Sequence, residues 1–233
     1  MPTQPDVVEH TIATPTLGRY LVTAPRGEDP APLLVGFHGY GENAELHMQA
    51  LCAIPGSDRW RIASVQGLHC FYERRTGSVV SSWMTSQHRE QAIADNIRYV
   101  HDVVAALRSE SAPHTPLVYA GFSQGVAMAY RAALSAGHPC DGLLALAGDV
   151  PPELHDAPTS AWPPILLGCG RTDAWYTDDK LRADRRFFDG RGIAVDTVMF
   201  DGGHEWHADY HQAAGRFLDG IDRRTRQTSD QSR

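Results

Sequence analysis

"LVYAGFSQGVAMAY", residues 117–130, sets a serine between two glycines, after an apolar run and before a run of small residues. The pattern G-x-S-x-G alone arises by chance in roughly one chain in a dozen of this length. Its surroundings must therefore decide how it reads. A serine at a strand-to-helix turn has two uses. It can cap the helix through its side-chain oxygen. It can also stand above the sheet as a nucleophile, with Gly121 and Gly125 letting the turn close and the helix approach the strand. In that case the helix N-terminus aims free amides at developing negative charge.

The apolar run before Ser123 has counterparts along the chain. "GRYLVTAP" (18–25), "PLLVGFHG" (32–39), "WRIASVQG" (60–67), "DGLLALAG" (141–148), "PPILLGCG" (163–170) and "AVDTVMFDG" (194–202) read as further strands. Near-continuous apolar runs mark strands covered on both faces. Between them lie helical periods. Ile93, Ile97, Val100, Val104 and Leu107 keep to one face, and "DDKLRADRRFF" and "HADYHQAAGRFLDGI" repeat that spacing. Alternation of this kind predicts an α/β domain over residues 1–222, with a mostly parallel sheet of seven or eight strands and helices on both faces. Residues 223–233, "RRTRQTSDQSR", read as a polar, frayed tail.

In such sheets ligands sit beyond the carboxyl ends of the strands, so the loops there should hold the chemistry. A serine needs a base to take its proton, and the base needs a third group to orient it. Asp173 follows "ILLGCG" and His204 follows "VMFDG", in the order serine, acid, histidine. Asp149, after "LLALAG", is a rival acid. His38 is a second candidate base, though its place before Gly39 suits bracing a loop. His204, His207 and His211 have a spacing that could set three imidazoles on one helix face, but "HEWH" is not the H-E-x-x-H zinc pattern. For an oxyanion, the expected donors are the backbone amides of Gln124 and of Tyr40 in "HGYGEN".

With these four loops the chain resembles an α/β-hydrolase of the phospholipase/carboxylesterase family, the group that includes acyl-protein thioesterases. The resemblance runs from about residue 30 to 220 and rests on "GFHGYGEN", "AGFSQGVAMA", "GCGRTDAWY" and "DGGHEWH". It implies a catalytic triad of Ser123, Asp173 and His204, an oxyanion hole from Tyr40 and Gln124, and no metal or organic cofactor. The stretch between Gly148 and Trp162 is too short for a large cap domain, so an open site is expected. Residues 69–87 read as a long substrate-facing loop. Phe71, Tyr72 and Trp83 either line an acyl pocket or anchor that loop. Trp175, Tyr176 and Trp206 either narrow the pocket or pack around the triad.

The bulk numbers agree with an enzyme acting on small molecules. The 233-residue chain carries a net charge of −7 and no basic stripe, which argues against nucleic acid or a stable membrane association. The N-terminus has no basic segment followed by an apolar one, and none of the four cysteines forms a C-x-x-C pair. A cytoplasmic monomer or homodimer is the expectation. The expected reaction is hydrolysis of short- to medium-chain carboxylic esters. A thioesterase or lysophospholipase would use the same residues, and a non-catalytic binding protein on this scaffold is the remote alternative.

Overall fold

A computed structural model describes residues 7–26, 31–112 and 115–231, with 225–231 described by backbone alone. Among the described residues seven strands share one sheet: β1 (Tyr20–Val22), β2 (Leu33–Phe37), β3 (Arg61–Val65), β6 (Leu117–Phe122), β7 (Gly142–Leu146), β8 (Ile165–Gly170) and β9 (Val195–Phe200). Two more, β4 (His69–Tyr72) and β5 (Val79–Ser82), pair as a separate antiparallel hairpin. The helices are α1 (Ala44–Cys52), α2 (Arg89–Ser109), α3 (Gln124–Ser135), α4 (Asp178–Asp189) and α5 (Ala208–Gln231). Among the described residues no helix is long and apolar enough to cross a membrane.

The sheet order is β1-β3-β2-β6-β7-β8-β9, and only β1 runs antiparallel to its neighbour. Every residue of β2, β6, β7 and β8 is buried. Their unbroken apolar character follows, because both faces are covered. Three glycines show by what. Gly36, Ala120, Leu144 and Leu166 lie side by side in register, so Gly168 shares the face of Gly36. A side chain at Gly36 would meet His47 and Leu51 of α1, and one at Gly168 would meet Tyr210 of α5. Gly121, one residue on from Ala120, faces the other way and lies against α3. Helices therefore cover both faces, as the alternation predicts.

From β2 the chain moves outward to β3, then crosses back to β6 on the other flank of β2. That reversal opens a crevice at the carboxyl ends of β2 and β6, the usual ligand position in such sheets. Residues 38–43 and Ser123 lie there. Between β7 and β8 only two single 3₁₀ turns, at Pro152–Leu154 and Thr159–Ala161, take the place a cap domain would occupy.

Two expectations are corrected. Residues 69–87 are not one long loop, since β4 and β5 pair within them and Ser81 bridges to Glu42. The last helix does not end at 222 but runs on to Gln231; residues 232 and 233 lie outside the described residues. No Gly or Pro interrupts the chain from Ile221 to Gln231, so nothing in the sequence stops that helix.

Candidate active site

Ser123 sits between β6 and α3 with φ +53° and ψ −120°, a conformation costing about 1–3 kcal/mol for a non-glycine residue. The neighbours enforce it. Its N–H donates to Leu146 O at 2.9 Å. A β-carbon at Gly125 would stand 2.0 Å from Phe37 O, so α3 approaches β2 more closely than any side chain permits. Although Ser123 holds the cap position of α3, its side chain makes no capping bond. The Oγ lies instead 2.7 Å from His204 Nε2. Of the two uses of this serine, the structure does not take the capping one.

His204 Nδ1 is 2.8 Å from Asp173 Oδ2. The other carboxylate oxygen accepts the amides of Trp175 at 2.7 Å and Tyr176 at 2.9 Å. Asp173 is thus fully partnered, its side chain is wholly shielded from water, and it is acceptor-only. Nδ1 therefore carries the imidazole proton, which leaves Nε2 to accept from the serine hydroxyl. Phe122 packs on the His204 ring, with centroids 5.1 Å apart. The rival acid, Asp149, is half-exposed and pairs with Lys180 at 3.2 Å. Nor do His204, His207 and His211 converge. His207 stacks on Phe200, and His211 stacks on Trp206 with Nε2 facing Ala50 O.

The loop after β2 is held from several sides. His38 is buried, and Gly67 N–H donates to its Nε2 at 3.0 Å, so Nδ1–H donates to Gly39 O at 2.6 Å. Trp83 Nε1 donates to His38 O at 2.9 Å. Gly41 N–H donates to Ser81 O, and Ser81 N–H donates back to Glu42 O. Glu42 Oε2 accepts the Gly39 amide at 2.8 Å. Burial raises the Glu42 pKa, while the Gly39 amide and His204 pull it the other way. Gln124 ties the start of α3 to the same region. Its Oε1 accepts Trp83 N–H at 2.9 Å and the Ser82 hydroxyl at 3.1 Å, and its Nε2 donates to Met84 O at 3.3 Å. Among the described residues no acceptor takes the backbone amide of Tyr40 or of Gln124.

A cavity of about 350 Å³ opens beside Ser123 and His204. Trp175 and Tyr176 line it, the first largely exposed, the second buried with its hydroxyl donating to Asp184 at 2.8 Å. Phe71 and Tyr72 stand outside it on the β4–β5 hairpin, where Phe71 packs against the Tyr40 ring. Trp83 and Trp206 are not wall residues. Trp83 is fully buried behind the loop of His38, and Trp206 packs among His47, Tyr210 and His211. Their indoles brace the site rather than face a substrate. Sequence reasoning missed Glu42, the side-chain role of Gln124, and two wall residues, Arg89 and Arg131. The signal for Arg131 was present: a lone cation eight residues after Ser123, in a helix otherwise built of small and apolar residues.

Buried histidines around this loop make stability depend on pH. Burial lowers the pKa of His38 from 6.5 to about 4 and that of His47 to about 3. Between pH 6.5 and 4 the unfolded chain binds more protons than the folded one, so stability falls as pH falls. Each histidine loses about 3 kcal/mol by pH 4. Asp184, raised to about 6 by burial, works in the opposite sense and offsets about 3 kcal/mol. The histidines win. Urea unfolding should show a net loss on the order of 3 kcal/mol between pH 6.5 and 4; a flat profile over that interval would contradict the burial of these rings.

The sequence pattern of the phospholipase/carboxylesterase family matches residues 19–176. That stretch holds Ser123 and Asp173 and stops short of His204, which the fold returns to them. Among solved structures the chain is similar to acyl-protein thioesterase 2 of Zea mays, with a TM-score of 0.70 and 18% identity over 88% of this chain and 99% of that one. It is also similar to a Bacillus cereus carboxylesterase, with a TM-score of 0.69 and 14% identity over 88% and 94%. A third, esterase PE8, gives a TM-score of 0.66 and 23% identity over 88% and 98%. Identities this low carry the fold alone. No curated protein matches the chain. The pattern over two thirds of the sequence settles the family: the chain belongs to the phospholipase/carboxylesterase family, as an esterase-type α/β hydrolase.

Proposed function

We propose that this protein is a serine hydrolase that cleaves short- to medium-chain carboxylic esters through an acyl-enzyme on Ser123. One observation carries the reading: the hydrogen-bonded series from Asp173 through His204 to Ser123, with steps of 2.8 and 2.7 Å. Ser123 Oγ attacks the acyl carbon while His204 Nε2 takes its proton. Asp173 holds the imidazole and stabilises the imidazolium. The oxyanion is held by the unoccupied amides of Tyr40 and Gln124, both fixed by the bracing around Trp83 and Ser81. His204 then protonates the leaving alcohol. In the second half it activates a water that releases the acid and restores the serine. No step calls for a metal or an organic cofactor. The four cysteines are unpaired, which fits our placing of the protein in the cytoplasm.

The cavity is at the small end of the roughly 300–1,000 Å³ range for ligand pockets. Turnover of p-nitrophenyl esters should therefore be higher for acetate through octanoate than for palmitate. Faster cleavage of palmitate would overturn the chain-length reading. Running matched oxygen and sulfur esters beside them tests the thioesterase alternative, since the two substrates yield the same acyl-enzyme and differ only in the group expelled as it forms.

A further inference from the structure

We propose that the ester this site prefers carries a carboxylate, held by Arg89 and Arg131 in the cavity beside Ser123; the proposal rests on the hydrolase reading and names its substrate class. Both arginines line that cavity. Ser123, Gln124, Ala127 and Arg131 fall on one side of α3 at helical spacing. The cavity thus runs from the proposed nucleophile along the helix to a guanidinium.

Arg131 is 1% exposed. Its Nε and Nη2 both donate to one oxygen of Glu153, at 2.9 and 2.5 Å. Among the described residues the only partner of Nη1 is the Met84 sulfur at 4.0 Å, a weak acceptor. A guanidinium has five N–H donors, so two remain unmatched among the described residues. A buried cation with donors to spare is costly unless something else satisfies it.

Arg89 adds a second cation. It lies close enough to repel the charge on Arg131 and to attract that on Glu153. Among the described residues no carboxylate pairs with it. The remaining wall charges, Asp149 and Lys180, neutralise each other at 3.2 Å. Two guanidiniums therefore share one carboxylate, and the cavity is one anion short. This occurs in a chain whose net charge is −7, so the positive wall is local and opposes the overall field. A substrate carboxylate would take the unused Arg131 donors and pair with Arg89, in the planar geometry guanidinium groups favour.

The test compares charged esters with uncharged partners of the same shape. Monoethyl glutarate is set against its neutral amide, ethyl 4-carbamoylbutanoate. 3-Acetoxypropanoate, which carries its charge on the alcohol side, is set against its own amide. At low ionic strength the charged member of at least one pair should have a kcat/KM about tenfold higher or more. The pair that shows it tells which side of the scissile bond lies along α3. Arg89→Gln, a change on the exposed first turn of α2, should bring that ratio down about tenfold. A ratio at or below one for both pairs, or one that Arg89→Gln leaves unmoved, overturns the proposal. If no ester is cleaved, the hydrolase reading fails separately. Calorimetric titration with glutarate then decides: binding that Arg89→Gln weakens about tenfold supports the anion site, and no binding to the wild type sinks it.

Discussion

Ser123→Ala is expected to lower kcat on a short-chain ester by about ten-thousandfold or more, with little change in urea unfolding. Among the described residues the Oγ makes one hydrogen bond, to His204, and it borders an open cavity rather than the packed core. Its removal therefore leaves no buried group without a partner. Alanine inherits the same φ of +53° at a similar cost, so the turn keeps its shape. On the proposed mechanism, what disappears is the atom that would carry the acyl group, and with it the step that divides one hard reaction into two easier ones. The remaining activity would come from the oxyanion amides and substrate binding alone. Steady-state kinetics with circular dichroism on the same sample checks both halves. A folded Ser123→Ala protein that keeps a tenth of wild-type kcat would remove Ser123 from the mechanism.

The second large effect concerns stability. Gly125→Ala should cost about 3 kcal/mol or more. The new methyl would meet Phe37 O at 2.0 Å, Phe37 C at 2.5 Å and His38 O at 2.6 Å, all backbone atoms that cannot rotate aside. To admit it, α3 must withdraw from β2. That also moves Ser123 and the Gln124 amide away from the loop that begins at His38, so activity should fall with stability. Gly220→Ala is the control, because nothing lies within 4 Å of a side chain there and α5 is helical at that point. It should be neutral or stabilising by up to about 1 kcal/mol. Equal urea midpoints for the two variants would show that the approach of α3 to β2 is looser than described.

Much of this was legible in the sequence because the physics is local. The strands covered on both faces spell themselves as unbroken apolar runs, and all seven strands of the main sheet fall inside the stretches expected for them. The order of Ser123, Asp173 and His204 could be read because each follows a strand and the strands are parallel. That places all three loops on one edge whatever the packing. The hairpin was not legible. β4 and β5 are four residues each in a mixed stretch with no long apolar run, and their role comes from residues distant in sequence: Ser81 bridges to Glu42, Ser82 donates to Gln124 and Phe71 packs on Tyr40. Trp83 and Trp206 illustrate a second limit. An aromatic residue near a site has the same letter whether it faces substrate or braces the loop behind, and only burial distinguishes the two. Glu42 and Arg131 escaped for a related reason: their meaning lies in what they are packed beside, not in their spacing.

The central claim is that catalysis passes through an ester on Ser123. The most direct test is to acid-quench the enzyme in the pre-steady state with p-nitrophenyl butyrate, then find by peptide mass spectrometry which residue carries the acyl group. The account predicts one butyryl group per chain, on the peptide holding Ser123, appearing with the first burst of nitrophenol and decaying as turnover proceeds. A butyryl group on another residue during steady turnover, or rapid turnover with no acylated peptide at any time, would contradict it.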